Sequence, residues 1–89
     1  MMFYVYMILN QYNNLYIGIT QNPQRRLFEH NTHRGSDYSK TRDVFHIVFL
    51  EEHSSLLNAR KREVQIKKWR RDKKDFLIYK YQHRLETKI

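Results

Sequence analysis

Tyr6, Tyr16, Arg26, His30 and Glu63 are the residues of this chain whose types and spacing invite chemistry. Two phenols, a guanidinium, an imidazole and a carboxylate are the groups that metal-assisted phosphodiester cleavage requires. The carboxylate would hold a divalent cation, the guanidinium would face the phosphate, and a phenol or the imidazole would move a proton. Each residue also has a bland reading. Strand tyrosines mostly pack across a sheet, Arg25 and Arg26 suit a solvated helix face, and Glu63 lies four residues before Lys67, the spacing of a helical ion pair. Only the joint pattern points to a site.

The elements that must position these groups follow from pattern. Phe3 to Leu9 is rich in aromatic and branched residues and predicts a strand, as does Leu15 to Thr20. The short polar link predicts an antiparallel hairpin. Side chains alternate along a strand, so the parity of the loop decides which residues share a face. A five-residue loop, Asn10 to Asn14, sets Tyr6 opposite Gly18 and diagonal to Tyr16. Gly18 would then be an open floor beside two phenols, suited to close approach of a ligand.

Asn22-Pro23 is a helix start, with Asn22 as cap and Pro23 at the first helical position. That helix is expected to run to about Asn31, with Arg26 and His30 on one face. Thr32 to Asp43 is polar, with Gly35 ending structure and Lys40 and Arg42 in a loop. Val44 to Leu50 is nearly continuous in apolar residues and predicts a buried central strand. Ser54 or Ser55 should cap a long helix from Leu56 to about Arg70. Asp72 should cap a shorter one through Phe76, Leu77 and Tyr81, after which Gln82 to Ile89 should fray as a tail. In the long helix, Leu56, Ala59, Glu63, Val64 and Ile66 fall on one broad side, which turns the Glu63 carboxylate to the core edge. A carboxylate there must be paired or bind a cation.

The bulk properties narrow the function classes. Eighty-nine residues suffice for one domain with a modest core, expected over residues 1–81 with 82–89 as the tail. The formal charge is +8, from 17 basic and 9 acidic residues. Nine of the basic ones lie between Arg60 and Lys74. Such clustering is the electrostatic footprint of a polyanionic partner. Arg60, Lys67, Lys68, Arg70 and Arg71, with Lys40 and Arg42, are the candidate phosphate contacts. The absence of cysteine excludes a disulfide framework and a thiolate zinc site, in keeping with a reducing cytoplasm. The five histidines show no zinc spacing. The apolar N-terminus is about half the length of a spanning helix, so no membrane role is expected.

These motifs give the chain its resemblance. Tyr4-Val5-Tyr6, Tyr16-Ile17-Gly18, the Asn22–Asn31 stretch with Arg26 and His30, and the Leu57–Trp69 helix with Glu63 together resemble a GIY-YIG nuclease domain. The likeness is to the N-terminal catalytic domain of the excision-repair nuclease UvrC and to small stand-alone bacterial GIY-YIG proteins. It spans Phe3 to Leu77. Tyr4 stands where the first motif has glycine. The resemblance implies an α/β (α+β) fold, a three-stranded antiparallel sheet flanked by helices. It also implies a metal-dependent DNA endonuclease of DNA repair, using Mg²⁺ or Mn²⁺. Tyr6 and Tyr16 would be the motif tyrosines, Arg26 the catalytic arginine, His30 the helix histidine and Glu63 the metal ligand. The proton acceptor stays open between a tyrosine and His30. The expected partner is nicked, branched or flapped DNA, cut by a monomer, with a protein partner as a source of specificity. Two other classes remain open: a catalytically silent nucleic-acid-binding module and an interaction protein with a basic docking face.

Overall fold

The computed structural model describes residues 1–35 and 44–89. Strands β1 (Phe3–Asn10), β2 (Leu15–Thr20) and β3 (Phe45–His53) alternate with helices α1 (Pro23–Gly35), α2 (Leu56–Lys67) and α3 (Arg71–Gln82) in the order β1-β2-α1-β3-α2-α3. The fold is thus a three-stranded antiparallel sheet with three helices. Lys40 and Arg42 lie outside the described residues.

The hairpin has the predicted register. Leu9 pairs with Leu15 and Tyr6 with Gly18, which leaves Asn10 to Asn14 as the loop. The Asn10 side chain builds that loop by accepting bonds from the backbone N–H groups of Tyr12 and Asn14 at 3.0 and 2.8 Å. Asn13 takes the left-handed conformation, φ 68°, which asparagine tolerates better than most residues.

Strand order corrects one expectation. The sheet runs β2-β1-β3, so the apolar strand is at an edge and β1 is central. Its apolar run has another cause, a β-bulge. Met7 pairs with Phe49 but Ile8 with Ile47, so Val48 is the extra residue. Phe49 therefore shares a face with Met7, while Phe45 joins Ile8 and Asn10 on the other. Both phenylalanines are buried, on opposite sides. One side is the core, where Val5, Met7, Val48 and Phe49 pack against Ala59 and Ile66 of α2 and Leu77 and Ile78 of α3. The other side carries Tyr4, Tyr6, Tyr16 and Gly18 and is covered by α1.

Asn22 caps α1 as expected, its side-chain oxygen accepting from the Arg25 N–H at 3.1 Å. The helix continues a turn past Asn31, since nothing before Gly35 breaks it. Asn31 also ties α1 to the sheet edge: its amide donates to the Phe45 carbonyl at 3.2 Å and accepts from the Phe45 N–H at 2.9 Å. Ser55 caps α2, accepting from the Asn58 N–H at 3.1 Å. That helix stops at Lys67, and α3 starts at Arg71 without a side-chain cap. Asp72 therefore lies in the first turn of α3, not before it.

The final residues do not fray. The Arg62 guanidinium donates to the carbonyls of Thr87 and Ile89, both at 2.8 Å, and pairs with Glu51 at 2.9 Å. Ile89 packs against the core. Among the described residues, no helix is long and apolar enough to cross a membrane.

Candidate active site

Tyr6 and Gly18 form the floor of the site. The phenol lies across the glycine, so a Cβ at position 18 would meet the Tyr6 hydroxyl oxygen at 2.6 Å and the ring carbons Cζ and Cε2 at 2.8 and 2.9 Å. The glycine is required by close approach, since neither glycine has a positive φ. The expected open floor is therefore filled by the protein's own tyrosine. Burial pushes the Tyr6 phenol above its ordinary pKa of 10.0. The Arg26 guanidinium opposes that shift and the Glu63 carboxylate adds to it. One hydroxyl thus feels groups from α1 and α2, a convergence that brings Tyr6, Arg26 and Glu63 into one electrostatic environment. At neutral pH the phenol keeps its proton, which makes it a donor rather than a base.

Arg25 and Arg26 differ in their partners. Arg25 pairs with Glu29 at 3.2 Å. Arg26 makes no ion pair among the described residues; it is exposed and, with Arg25 and Glu29, lines an open pocket of about 320 Å³ beside Thr20, Gln21 and Asn22.

Tyr16 and His30 form a second cluster on the same sheet face. Their rings are 5.1 Å apart between centroids, and both pack against Phe45, at 5.3 and 4.4 Å, edge to face. Tyr16 remains 40% exposed. Nothing in the sequence placed Phe45 here, because only the bulge turns it to this side.

Glu63 is 6% exposed, between Ala59 and Ile66 in the narrow buried stripe of α2. Leu56 and Val64, expected on that side, are instead substantially exposed. Both carboxylate oxygens of Glu63 are engaged: Arg60 reaches Oε1 at 3.1 Å and Lys67 reaches Oε2 at 3.0 Å. The helical ion pair is thus real, and it is made to a buried group. A buried carboxylate needs that compensation. Among the described residues no group of three or more His, Cys, Asp or Glu side chains is placed to hold a metal. The donor set is one hard carboxylate, which fits Mg²⁺ or Mn²⁺ held by a single protein ligand with water and phosphate oxygens, as Mg²⁺ usually is.

The basic cluster divides by partner. Arg60 and Lys67 hold Glu63. Arg71 pairs with Asp75 at 2.9 Å and reaches the Asn13 side chain in the hairpin loop at 2.7 Å. Lys68 and Arg70 are exposed, Arg70 with only Asp72 nearby at 4.0 Å.

A family model described as the GIY-YIG catalytic domain matches residues 2–75. The chain belongs to the GIY-YIG family. Similar relatives include UPF0213 proteins of Staphylococcus haemolyticus and Syntrophus aciditrophicus. The first is 39% identical over 71 residues, covering 80% of this chain and 87% of the relative. The second is 43% identical over 76 residues, covering 84% and 87%. A solution NMR structure of a protein from E. faecalis, 30% identical, matches with a TM-score of 0.67 over 92% of this chain and 88% of its own. The structure of a UPF0213 protein from Bacillus halodurans, 29% identical, matches with a TM-score of 0.58, over 89% and 84%. Membership makes this a nuclease-like domain, in a family that generally uses divalent metals and whose fold implies DNA as substrate. Within the GIY-YIG domain, Asn31 and Phe45 are the residues that sequence reasoning missed. Asn31 fixes α1, and with it Arg26 and His30, against the sheet edge.

Proposed function

We propose that this GIY-YIG domain is a divalent-metal-dependent DNA endonuclease that hydrolyses phosphodiesters one strand at a time. The observation that supports the reading best is the convergence on Tyr6: a guanidinium with no ion-pair partner among the described residues and a buried carboxylate act on one protonated phenol. Glu63 is the proposed ligand for Mg²⁺ or Mn²⁺, which when bound supplies neutralisation of the charge developing on the phosphate and its leaving oxygen. Arg26 faces the same charge and stabilises it by fork-like contact with phosphate oxygens. Tyr6, protonated at neutral pH, donates a hydrogen bond to the phosphate or to the attacking water. Proton acceptance is assigned to Tyr16 or His30, whose rings lie 5.1 Å apart on the same sheet face. Lys68 and Arg70, joined by Lys40 and Arg42 from the sequence, hold the backbone without reading bases.

With one Arg26 and one Glu63 per chain, the domain builds one site. Acting as a monomer, it nicks, and selects DNA already nicked, branched or flapped, where deformation costs least. A partner protein would add further specificity. A role in DNA repair within the cytoplasm fits that selectivity and the cysteine-free chain.

One observation favours a second reading, a nucleic-acid-binding module without turnover: both oxygens of Glu63 already have cationic partners. The two readings separate in one experiment. Purified protein is incubated with plain, nicked, flapped and branched duplexes, with Mg²⁺, with Mn²⁺ and with chelator. Metal-dependent cleavage lost in Glu63→Gln supports the endonuclease. Salt-sensitive binding with no product under any condition supports the silent module.

A further inference from the structure

The outer face of α3 is unused by the site described above, and its chemistry is distinctive. Tyr79 and Lys80 lie three and four residues after Phe76, and His83 lies four and three residues after them, so the four share one face. The opposite face, with Leu77 and Ile78, is buried in the core. Phe76 and Tyr79 are nevertheless 49% and 50% exposed. Two large aromatic rings side by side in water are costly to keep unless they meet a partner.

The rings are arranged in aromatic and cationic pairs. Tyr79 and His83 stack with centroids 4.1 Å apart and planes tilted by 32°. The Lys80 ammonium lies 5.2 Å from the Phe76 ring centre, and two turns before Lys80 the Lys73 ammonium lies 4.2 Å from the Trp69 ring centre. Among the described residues the local charge is positive. Asp75 is paired with Arg71, and Asp72 lies beside Arg70 with its oxygen accepting from the Lys73 backbone N–H. Neither Lys73 nor Lys80 has a carboxylate partner among the described residues. Partly exposed rings flanked by ammonium groups that no described carboxylate pairs match the chemistry of unpaired nucleotides, whose bases stack on aromatic faces while lysines meet the phosphates. A duplex hides its base faces and gains only the charge term.

We propose that the Phe76–Tyr79–Lys80 face of α3 is a stacking platform for single-stranded nucleic acid, a second site separate from the Tyr6–Glu63 cluster. It gives the domain a hold on unpaired strands. This assignment does not rest on cleavage, so it is tested in chelator, where failure of the endonuclease reading leaves it untouched.

The experiment compares binding of a labelled oligothymidine of about 12 nucleotides, within the usual span of such sites, with a duplex of equal length, by fluorescence anisotropy. Phe76→Ala and Tyr79→Ala should each weaken single-strand binding by roughly 5- to 100-fold, the range for loss of one base–aromatic stack, and leave duplex binding within about twofold. Tyr79→Phe should bind as the parent does, whereas Tyr79→Leu, which keeps the apolar bulk without the ring, should bind like Tyr79→Ala. Thermal melts of each variant show that the exposed truncations leave the fold intact. Unchanged single-strand affinity, or equal loss on both ligands, overturns the platform. So does rescue by leucine. A concentration-dependent dimer dissolved by Tyr79→Ala would overturn it too, assigning the face to a second copy of the chain.

Discussion

Gly18→Ala tests the floor of the site with a single methyl group. The added carbon would stand 2.6 Å from the Tyr6 hydroxyl oxygen and 2.8 and 2.9 Å from two ring carbons. Ordinary carbon contacts lie at about 3.5–4.0 Å, so the phenol must retreat by roughly 1 Å. The ring is rigid, and it can move only by turning about the bonds that join it to β1. Overpacking of this kind costs about 1–3 kcal/mol. Opposing it, alanine in a strand is favoured over glycine by about 0.5–1 kcal/mol. The strain should win, with a net loss near ~1 kcal/mol and a fall in Tm of about 4–8 °C for a domain of this size. The decisive measurement is a double-mutant cycle by thermal or urea unfolding. In the Tyr6→Ala background the collision is gone, so Gly18→Ala should become neutral or stabilising there. A destabilisation of equal size in both backgrounds would refute the placement of Tyr6 over Gly18. Where cleavage is measurable, a misplacement of about 1 Å should cost on the order of 10²-fold in turnover.

Arg26→Ala should lower turnover by on the order of 10²–10³, as loss of one preorganised charge donor does, while Arg25→Ala only releases Glu29. Equal losses in single-turnover cleavage would make both arginines generic phosphate contacts. Glu63→Gln should abolish cleavage yet tighten duplex binding, because Arg60 and Lys67 lose the charge that holds them; the slope of log affinity against log salt should steepen by about 0.9 for each that reaches a phosphate, and weaker binding would contradict this. Because the Tyr6 pKa is raised by burial, the folded state holds the phenolic proton more tightly than the unfolded chain. Its stabilising contribution is complete below the ordinary value of 10.0 and is lost as pH rises through the higher folded value. Tyr6→Phe should therefore flatten the alkaline fall in urea-unfolding free energy, and an unaltered slope above pH ~10 would argue against the shift. Arg62→Ala should destabilise the fold by about 1–3 kcal/mol, less than the roughly 3–5 kcal/mol of a fully stranded buried charge, because Glu51 keeps His53 at 2.9 Å, and it should expose the final residues to protease; a parent-like melt and digestion pattern would show the clasp to be incidental.

What was legible in the sequence was local. The choice of a five-residue loop over a two-residue turn set Tyr6 opposite Gly18, because alternation along a strand then allows no other answer. Asn22 and Pro23 marked the start of α1 through cap chemistry that acts within four residues. Glu63 was placed at the core edge by helical spacing, and its partner Lys67 by the same arithmetic. Two of the misses involve distance along the chain. The Val44–Leu50 run was apolar enough for a central strand, but pairing partners, not composition, decide which strand is central, and only β1 has two. The clasp of Arg62 on Thr87 and Ile89 joins residues more than twenty apart and has no periodic signature.

The bulge at Val48 shows most clearly why such features escape a reading by period. Four residues separate Phe45 from Phe49, so strict alternation puts both on one face. One extra residue turns Phe45 over, toward Tyr16 and His30, while Phe49 stays in the core. The same turn leaves the Phe45 N–H and carbonyl at the sheet edge facing α1, where the Asn31 amide satisfies both. An edge strand with open backbone groups is a liability; here those groups anchor the helix that carries Arg26 and His30. The irregularity that pattern reasoning could not find is therefore also what holds helical Arg26 and His30 against the face of the sheet tyrosines, so the geometry of the site depends on the place where the strand breaks its own rule.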